Sequence, residues 1–134
     1  ASDVYKRQGF IGSPEMNLHE AECDGSTLRV GTQALPVPRP GLPARLRLGL
    51  RPEHITALPR DGALPVPATL RFLEHMGNEV FVHAELGGRP MTARVPADQL
   101  GPLAGAEAGA AITLHLQTAA LHFFDAEHGA RLAA

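Results

Sequence analysis

Apolar and polar residues alternate with a period of two in several parts of this chain. The segments 46–50, 80–86, 91–95 and 112–117 all show the pattern. Because successive side chains of a β-strand point to opposite faces, the alternation predicts strands that place one face on a core and the other in solvent.

Turn signals separate these segments. Asp24-Gly25 indicates a hairpin between residues 18–23 and 27–30, and Gly87-Gly88 indicates another between two of the alternating segments. We therefore expect an all-β fold of about seven to nine short strands, arranged as a closed or nearly closed barrel without long free edges. At most one short helical turn is expected, around residues 97–100.

Prolines interrupt the strand pattern twice. Four of them fall within residues 36–43, and because proline has no amide donor for a sheet ladder, this stretch is predicted to be a connector. Pro65 and Pro67 are expected to delay the next strand until about Ala68.

Composition and charge exclude several classes of protein. A length of 134 residues suits one domain, and a net charge of -2 disfavours nucleic-acid binding. Lys6 is the only lysine and no glycines precede it, so this chain by itself cannot form a phosphate-binding loop of a P-loop ATPase. The single cysteine, Cys23, excludes an internal disulfide, and no apolar run is long enough to span a membrane.

The first eight residues differ from the remainder. Residues 1–8 contain the only lysine and the only tyrosine and lack the leucine, alanine, arginine and proline bias of the chain that follows. We interpret them as a tail or fragment edge outside the domain, which then comprises residues 9–134.

Candidate catalytic and metal-binding residues are few. The seven histidines are scattered, and His19 and Cys23, which would share a face of a strand, have no identifiable third metal ligand. Neither serine lies in a GxSxG turn. A hydrolase that uses His19 or His54 is the weakest hypothesis, and we assign no catalytic residue, metal ligand or cofactor to this chain.

Three strings have more informative local chemistry. Residues 9–17 form a predicted strap, in which Phe10 and Ile11 are buried, Ser13-Pro14 turns and Met16 plugs the base of the next strand.

The other two strings are turns. Leu50 leads into Arg51-Pro52-Glu53-His54, where a guanidinium and a carboxylate can pair across a rigid proline turn. Gly77-Asn78 can take the positive φ values of a tight hairpin, immediately before Glu79.

Five strings in order resemble one known family. They are GFIGSPEMN, LGLRPEH, FLEHMGNEVFV, TARVP and LHFFDAEHGARL. They resemble the carboxy-terminal regulatory domain of the ATP-binding subunits of ABC importers of the maltose and glycerol-3-phosphate type, a region often called the transport-associated OB domain. The resemblance covers residues 9–132 and implies an OB-like β-barrel.

The resemblance also implies a function. It implies a non-catalytic regulatory and dimerisation domain whose ATPase domain, with its ATP and Mg, lies upstream and is missing from this chain. The implied partners are an identical subunit in a homodimer, that ATPase domain and, indirectly, membrane permease subunits, at the cytoplasmic face of a bacterial membrane without direct membrane insertion.

The family motifs assign roles to particular residues. Arg51, Glu53 and His54 of one turn, and Gly77 and Glu79 of the other, are implied to have interface or structural roles. The strap would be the hinge to the ATPase domain.

A second hypothesis comes from a different class of protein. Arg45, Arg47 and Arg51 follow one strand, and guanidinium groups favour oxyanions. The alternative is therefore a free-standing OB-like module that binds an oxyanion or an oligosaccharide.

Overall fold

The described residues contain ten β-strands. The computed structural model describes residues 15–132. The strands are β1 (Asn17–Cys23), β2 (Thr27–Val30), β3 (Gln33–Pro36), β4 (Arg45–Leu50), β5 (Ile55–Thr56), β6 (Ala63–Met76), β7 (Glu79–Leu86), β8 (Arg89–Pro96), β9 (Ala111–Gln117) and β10 (His122–Asp125). The all-β prediction is confirmed. The count exceeds the seven to nine strands expected because β5, with two residues, is too short to show alternation.

Short 3-10 turns link some of the strands. They span Pro52–His54, Ala97–Gln99, Gly101–Gly105 and Thr118–Ala120. The second of these is the helical turn that the sequence predicts, and the other three are additional. Within residues 15–132 there is no α-helix, and none of the helical turns approaches the length and apolar character of a membrane span.

The strands form two antiparallel sheets. The first sheet has the order β5-β9-β6-β7-β8 and the second has the order β10-β4-β1-β2-β3. The sheets curl into a half-barrel, in agreement with the predicted OB-like all-β fold. The barrel is less closed than expected, because the described strands form two separate sheets.

The core lies between the inner faces of the sheets. Leu46 of β4, Val82 of β7 and Leu114 of β9 are almost fully buried there, and each lies on the apolar phase of its alternating segment. The alternation therefore identifies the inner faces correctly, since burial of these side chains removes apolar surface from water.

Strand β6 begins earlier than the prolines suggest. The prediction of a start near Ala68 is wrong, because β6 begins at Ala63 and includes Pro65 and Pro67. This part of β6 pairs with β9, whereas β7 joins its other side only from Thr69 onward. The amide of Leu70 donates to the carbonyl oxygen of Ala110, the residue that precedes β9. Since amides alternate in direction along a strand, the two prolines face the open side, where no donor is needed.

Two hairpin turns connect the sheets through main-chain atoms. The amide of Thr32, in the turn between β2 and β3, donates to the carbonyl oxygen of Gly87, in the turn between β7 and β8, at 3.2 Å. A Cβ on Gly31 would collide with that carbonyl group. Glycine is required here for close approach as well as for its positive φ of 59°.

The connector predicted for residues 36–43 starts one residue too early, because Pro36 ends strand β3, which lies at the edge of its sheet and tolerates a proline there. Residues 37–44 contain no strand. Val37 and Leu42 pack against the core, and the Arg39 guanidinium lies 4.3 Å from the ring centroid of Phe123. The chain then returns to the second sheet, where β4 pairs with β1. The segments before and after this connector therefore share one sheet.

Candidate interaction surfaces

The turn after β4 positions three of the candidate side chains. Pro52 is buried and begins the 3-10 turn Pro52–His54, and the amide of His54 donates to the carbonyl oxygen of Arg51 at 2.9 Å. Arg51 and Glu53 are exposed, whereas His54 is half-buried. No ion pair joins Arg51 to Glu53 within the described part of the chain, so the pairing that the sequence allows is not formed.

Two arginines and two histidines gather beside this turn. Arg51 and His54 come from the turn, His122 from β10, and Arg131 from the segment that bridges to Phe124. We call Arg51, His54, His122 and Arg131 the cationic cluster. Desolvation by burial lowers the pKa of His122, and the positive charges of Arg131, Arg51 and His54 lower it further.

An apolar platform adjoins the cationic cluster on the outer face of the second sheet. His122, Gly49 and Leu18 are paired across β10, β4 and β1, so their side-chain positions share that face. A Cβ on Gly49 would lie 2.5 Å from Sδ of Met16 and 2.9 Å from Cε2 of Phe124. We call Met16, Leu18 and Phe124, which surround Gly49, the apolar platform. Leu18 has 59% of its surface exposed.

Aromatic contacts join the platform to the cluster. The rings of His122 and Phe124 have centroids 6.3 Å apart, and the Arg131 guanidinium lies 5.5 Å from the Phe124 centroid. Phe124 is therefore flanked by two members of the cationic cluster, and cation–π attraction holds Arg131 near its ring.

The second candidate turn lies at the tip of the hairpin formed by β6 and β7. Gly77 has a φ of 68°, as expected for a tight turn, but Asn78 does not have a positive φ. The prediction was therefore right for Gly77 and wrong for Asn78, and this combination of signs is that of a type II′ turn. The carbonyl oxygen of Asn78 accepts a hydrogen bond from the amide of Ala97 at 2.8 Å, and Glu79 pairs with Arg94 at 3.4 Å.

An aromatic pair lies on the outer face of the first sheet, near that turn. Phe72 and His83 are paired across β6 and β7, and their rings stack with centroids 4.3 Å apart. His83 contacts Glu74 through Nε2 at 2.9 Å and Thr92 through Nδ1 at 3.4 Å. These contacts hold the imidazole ring in place, and the Phe72 ring stacks on it.

This outer face is partly apolar. Phe72 is 53% exposed and Met76 is 47% exposed. The register shift between Leu70 and Phe72 is a β-bulge, which displaces Arg71 so that it pairs with Glu85 at 2.6 Å. We call Phe72 and Met76 the hairpin patch.

The arginines of the oxyanion hypothesis lie along one strand. Arg45 and Arg47 are exposed on the outer face of β4, and Arg51 follows the strand. Arg45 also lines a concavity of about 210 Å³ together with Arg29 and Arg89. Glu20 and Glu22 line the same concavity, so its charge is mixed.

His19 is buried between the sheets. It is 8% exposed, and its Nδ1 atom has no hydrogen-bond partner among the described residues. Desolvation by burial lowers its pKa; a hydrogen bond to the Pro90 backbone opposes the shift, and the charge of Arg89 adds to it. No group of three potential metal ligands occurs in residues 15–132.

Most of the predicted strap lies outside the described residues. This applies to Phe10, Ile11, Ser13 and Pro14. Met16 is described, and it packs against Gly49 on the outer face of the second sheet.

Asn17 is a structural residue to which the sequence analysis assigned no role. Its side-chain amide donates to the carbonyl oxygens of Leu50 at 3.0 Å and Thr92 at 2.9 Å, and its side-chain oxygen accepts from the amide of Thr92 at 2.8 Å. It therefore links the second sheet to β8 of the first. Its place at the end of the GFIGSPEMN string was the available signal.

Comparison with protein families finds one matching model. Residues 48–124 match the TOBE domain. This range includes the turn after β4, the hairpin patch and most of the cationic cluster.

Curated relatives match almost the whole chain. The sn-glycerol-3-phosphate import ATP-binding protein UgpC of Yersinia enterocolitica is 38% identical over 146 residues, covering 98% of this chain and 39% of that protein. The protein of the same name from Paracoccus denitrificans is 38% identical over 141 residues, and the match covers 97% of this chain and 37% of that protein. The chain thus spans about two fifths of the length of these relatives.

A solved structure shares the fold. The cytoplasmic molybdate-binding protein ModG, with molybdate bound, aligns with a TM-score of 0.58 and 12% sequence identity. The alignment covers 80% of this chain and 94% of ModG.

Proposed function

Because this chain belongs to the TOBE domain family, we propose that it is the carboxy-terminal regulatory domain of the ATP-binding subunit of an ABC importer. The observation that carries the proposal is the match of 98% of this chain to 39% of an import ATP-binding protein. A domain that corresponds to only part of such a subunit is expected to act together with the remainder.

The proposal assigns the chemistry to a region upstream. An ATPase domain that precedes Gly9 would bind ATP and Mg and hydrolyse the ATP, and this chain would contribute no catalytic group. The names of the relatives favour sn-glycerol-3-phosphate as the imported substrate. The subunit would then lie at the cytoplasmic face of the membrane, in contact with permease subunits.

We further propose that the domain dimerises with an identical subunit. The hairpin patch supports this, because two large apolar side chains are about half exposed on one face and ion pairs of Arg71 and Arg94 border them. An apolar centre with a charged rim is typical of protein interfaces. Glu79 lies in this rim through its pairing with Arg94, and Gly77 shapes the neighbouring turn.

Two experiments test these proposals separately. The genomic reading frame upstream of Gly9 should encode a GxxxxGK[ST] loop, and a start codon near Ala1 would contradict the role as a subunit domain.

Sedimentation equilibrium of the chain should show a dimer. Phe72→Ser should convert it to a monomer, whereas Leu18→Ser, which alters an exposed side chain of the other sheet, should not. A monomer for the parent chain would refute autonomous dimerisation alone.

The concavity with three arginines supports a second candidate function, a small-oxyanion module. Arg29, Arg45 and Arg89 could supply guanidinium donors, although Glu20 and Glu22 oppose an anion. Calorimetric titration with molybdate and sulfate tests this function. Heat that disappears in Arg89→Gln but persists in Arg60→Gln would support it, and the absence of heat for both anions would exclude it.

A further inference from the structure

We propose that the cationic cluster and the apolar platform together form a docking site for an acidic segment of a partner protein. The segment would carry carboxylates next to an aliphatic or aromatic side chain. This inference goes beyond the regulatory role proposed above, and it does not depend on dimerisation, because the hairpin patch lies on the other sheet.

The charges of the cluster favour an anionic partner. Arg131, Arg51 and His54 all act on His122 with the same sign. None of the four groups forms an ion pair with a carboxylate in residues 15–132. Glu53 lies in the same turn as Arg51 but forms no ion pair with it. The guanidinium groups of Arg51 and Arg131 therefore remain available to pair with a carboxylate-bearing segment.

The apolar platform supplies the second half of the site. Leu18 is more than half exposed, and the neighbouring Met16 and Phe124 are partly exposed. A single exposed leucine is ordinary, but here it adjoins two further apolar side chains and a cationic rim. Such a combination matches the composition of protein interfaces, where apolar contact is bordered by charges.

A polypeptide fits this face better than an anionic membrane. Glu20 lies beside Arg47 and Glu22 beside Arg45 on the same outer face, in register across β1 and β4. A flat bilayer would meet these carboxylates together with the cationic cluster, and the net charge of -2 would add repulsion. A narrow segment can contact only the end of the face that holds Arg51, His122 and Leu18.

Binding of a labelled peptide to the full chain tests the proposal. The probe is a short peptide of Glu-Glu-Leu repeats, and the control peptide has Lys-Lys-Leu repeats. We expect the acidic peptide to bind, with chemical-shift changes centred on Leu18, Gly49 and His122. The double variant Arg51→Gln with Arg131→Gln should weaken binding about tenfold, as expected for two charge pairs.

Matched variants separate this site from general electrostatics. Arg29→Gln with Arg60→Gln removes the same charge elsewhere and should change affinity less than about twofold. Leu18→Ser, an exposed substitution, should weaken binding severalfold without altering the fold. Equal loss in both arginine pairs, equal binding of the lysine peptide, or shift changes centred elsewhere would each overturn the proposal. So would tighter association with phosphatidylglycerol vesicles that depends on the same arginines.

Discussion

The side chain of Asn17 bonds both main-chain groups of Thr92. Its amide nitrogen lies 2.9 Å from the carbonyl oxygen of Thr92, and its oxygen lies 2.8 Å from the Thr92 nitrogen. Because Asn17 belongs to the second sheet and Thr92 to the first, this one side-chain amide joins the two sheets by hydrogen bonds.

Replacing this amide should destabilise the domain. Asn17→Ala leaves three main-chain groups without their partner, so we expect the free energy of unfolding to fall by about 2–3 kcal/mol. Urea denaturation measures the change. Gln33→Ala, which removes an exposed hydrogen bond to the adjacent Ala34, should change it by less than about 0.5 kcal/mol. Equal effects of the two variants would contradict the linking role of Asn17.

Close approach of two turns should make Gly31 intolerant of a side chain. A methyl group there would collide with the carbonyl group of Gly87, so Gly31→Ala should cost at least about 2 kcal/mol of stability. Gly88→Ala is the control, because Gly88 also has a positive φ, of 84°, but has open space at its Cβ position. Its cost should be about 1 kcal/mol. A difference near zero would show that the backbone conformation, and not the contact, limits both sites.

Gly49→Ala should be less destabilising when Met16 is shortened. The added methyl group would lie 2.5 Å from Sδ of Met16, and φ at this glycine is not positive. We expect Gly49→Ala to cost about 1–2 kcal/mol, and Met16→Ala to recover part of that cost in the double variant. Thermal or urea unfolding of the four proteins gives the coupling energy, and strictly additive effects would contradict the contact.

Burial of His19 should make stability depend on pH. Its folded-state pKa is lowered from 6.5, so as the pH falls through about 6.5 the unfolded chain binds a proton that the folded chain does not. The free energy of unfolding should therefore decrease below about pH 6.5, by at most about 1.4 kcal/mol per pH unit for this group, until the pH reaches the folded-state pKa.

A comparison of histidine variants isolates this effect. His19→Leu should be less stable at pH 8, because the Pro90 backbone loses its hydrogen bond, but its stability should depend less on pH between 8 and 5.5. His75 is exposed, so His75→Gln should retain the dependence of the parent. An unchanged slope in His19→Leu would show that other groups cause the loss of stability in acid.

The strands were predictable where one face is buried and the other is solvated. The alternation in 46–50 and 112–117 marks the inner faces of β4 and β9 because burial selects every second residue. The glycines of the turn at Gly87-Gly88 were equally informative, since both have positive φ. The early start of β6 was not predictable, because the tolerance for Pro65 and Pro67 depends on which neighbouring strand is absent.

The candidate site residues were predictable as turns but not as surfaces. Arg51 and His54 follow a proline that ends a strand, which local chemistry indicates. Their proximity to His122 and Arg131 depends on the pairing of β10 with β4, and these two strands are far apart along the chain.

By itself, the sequence determined the all-β class, the positions of most strands and the family, because alternation, turn residues and ordered motifs are local properties. Only the tertiary structure decided that Asn17 joins the two sheets, that Gly31 meets Gly87, and that Arg51 and His54 lie with His122 and Arg131 beside one apolar platform. Those relationships depend on strand order and register, which bring distant residues together and which no local pattern specifies.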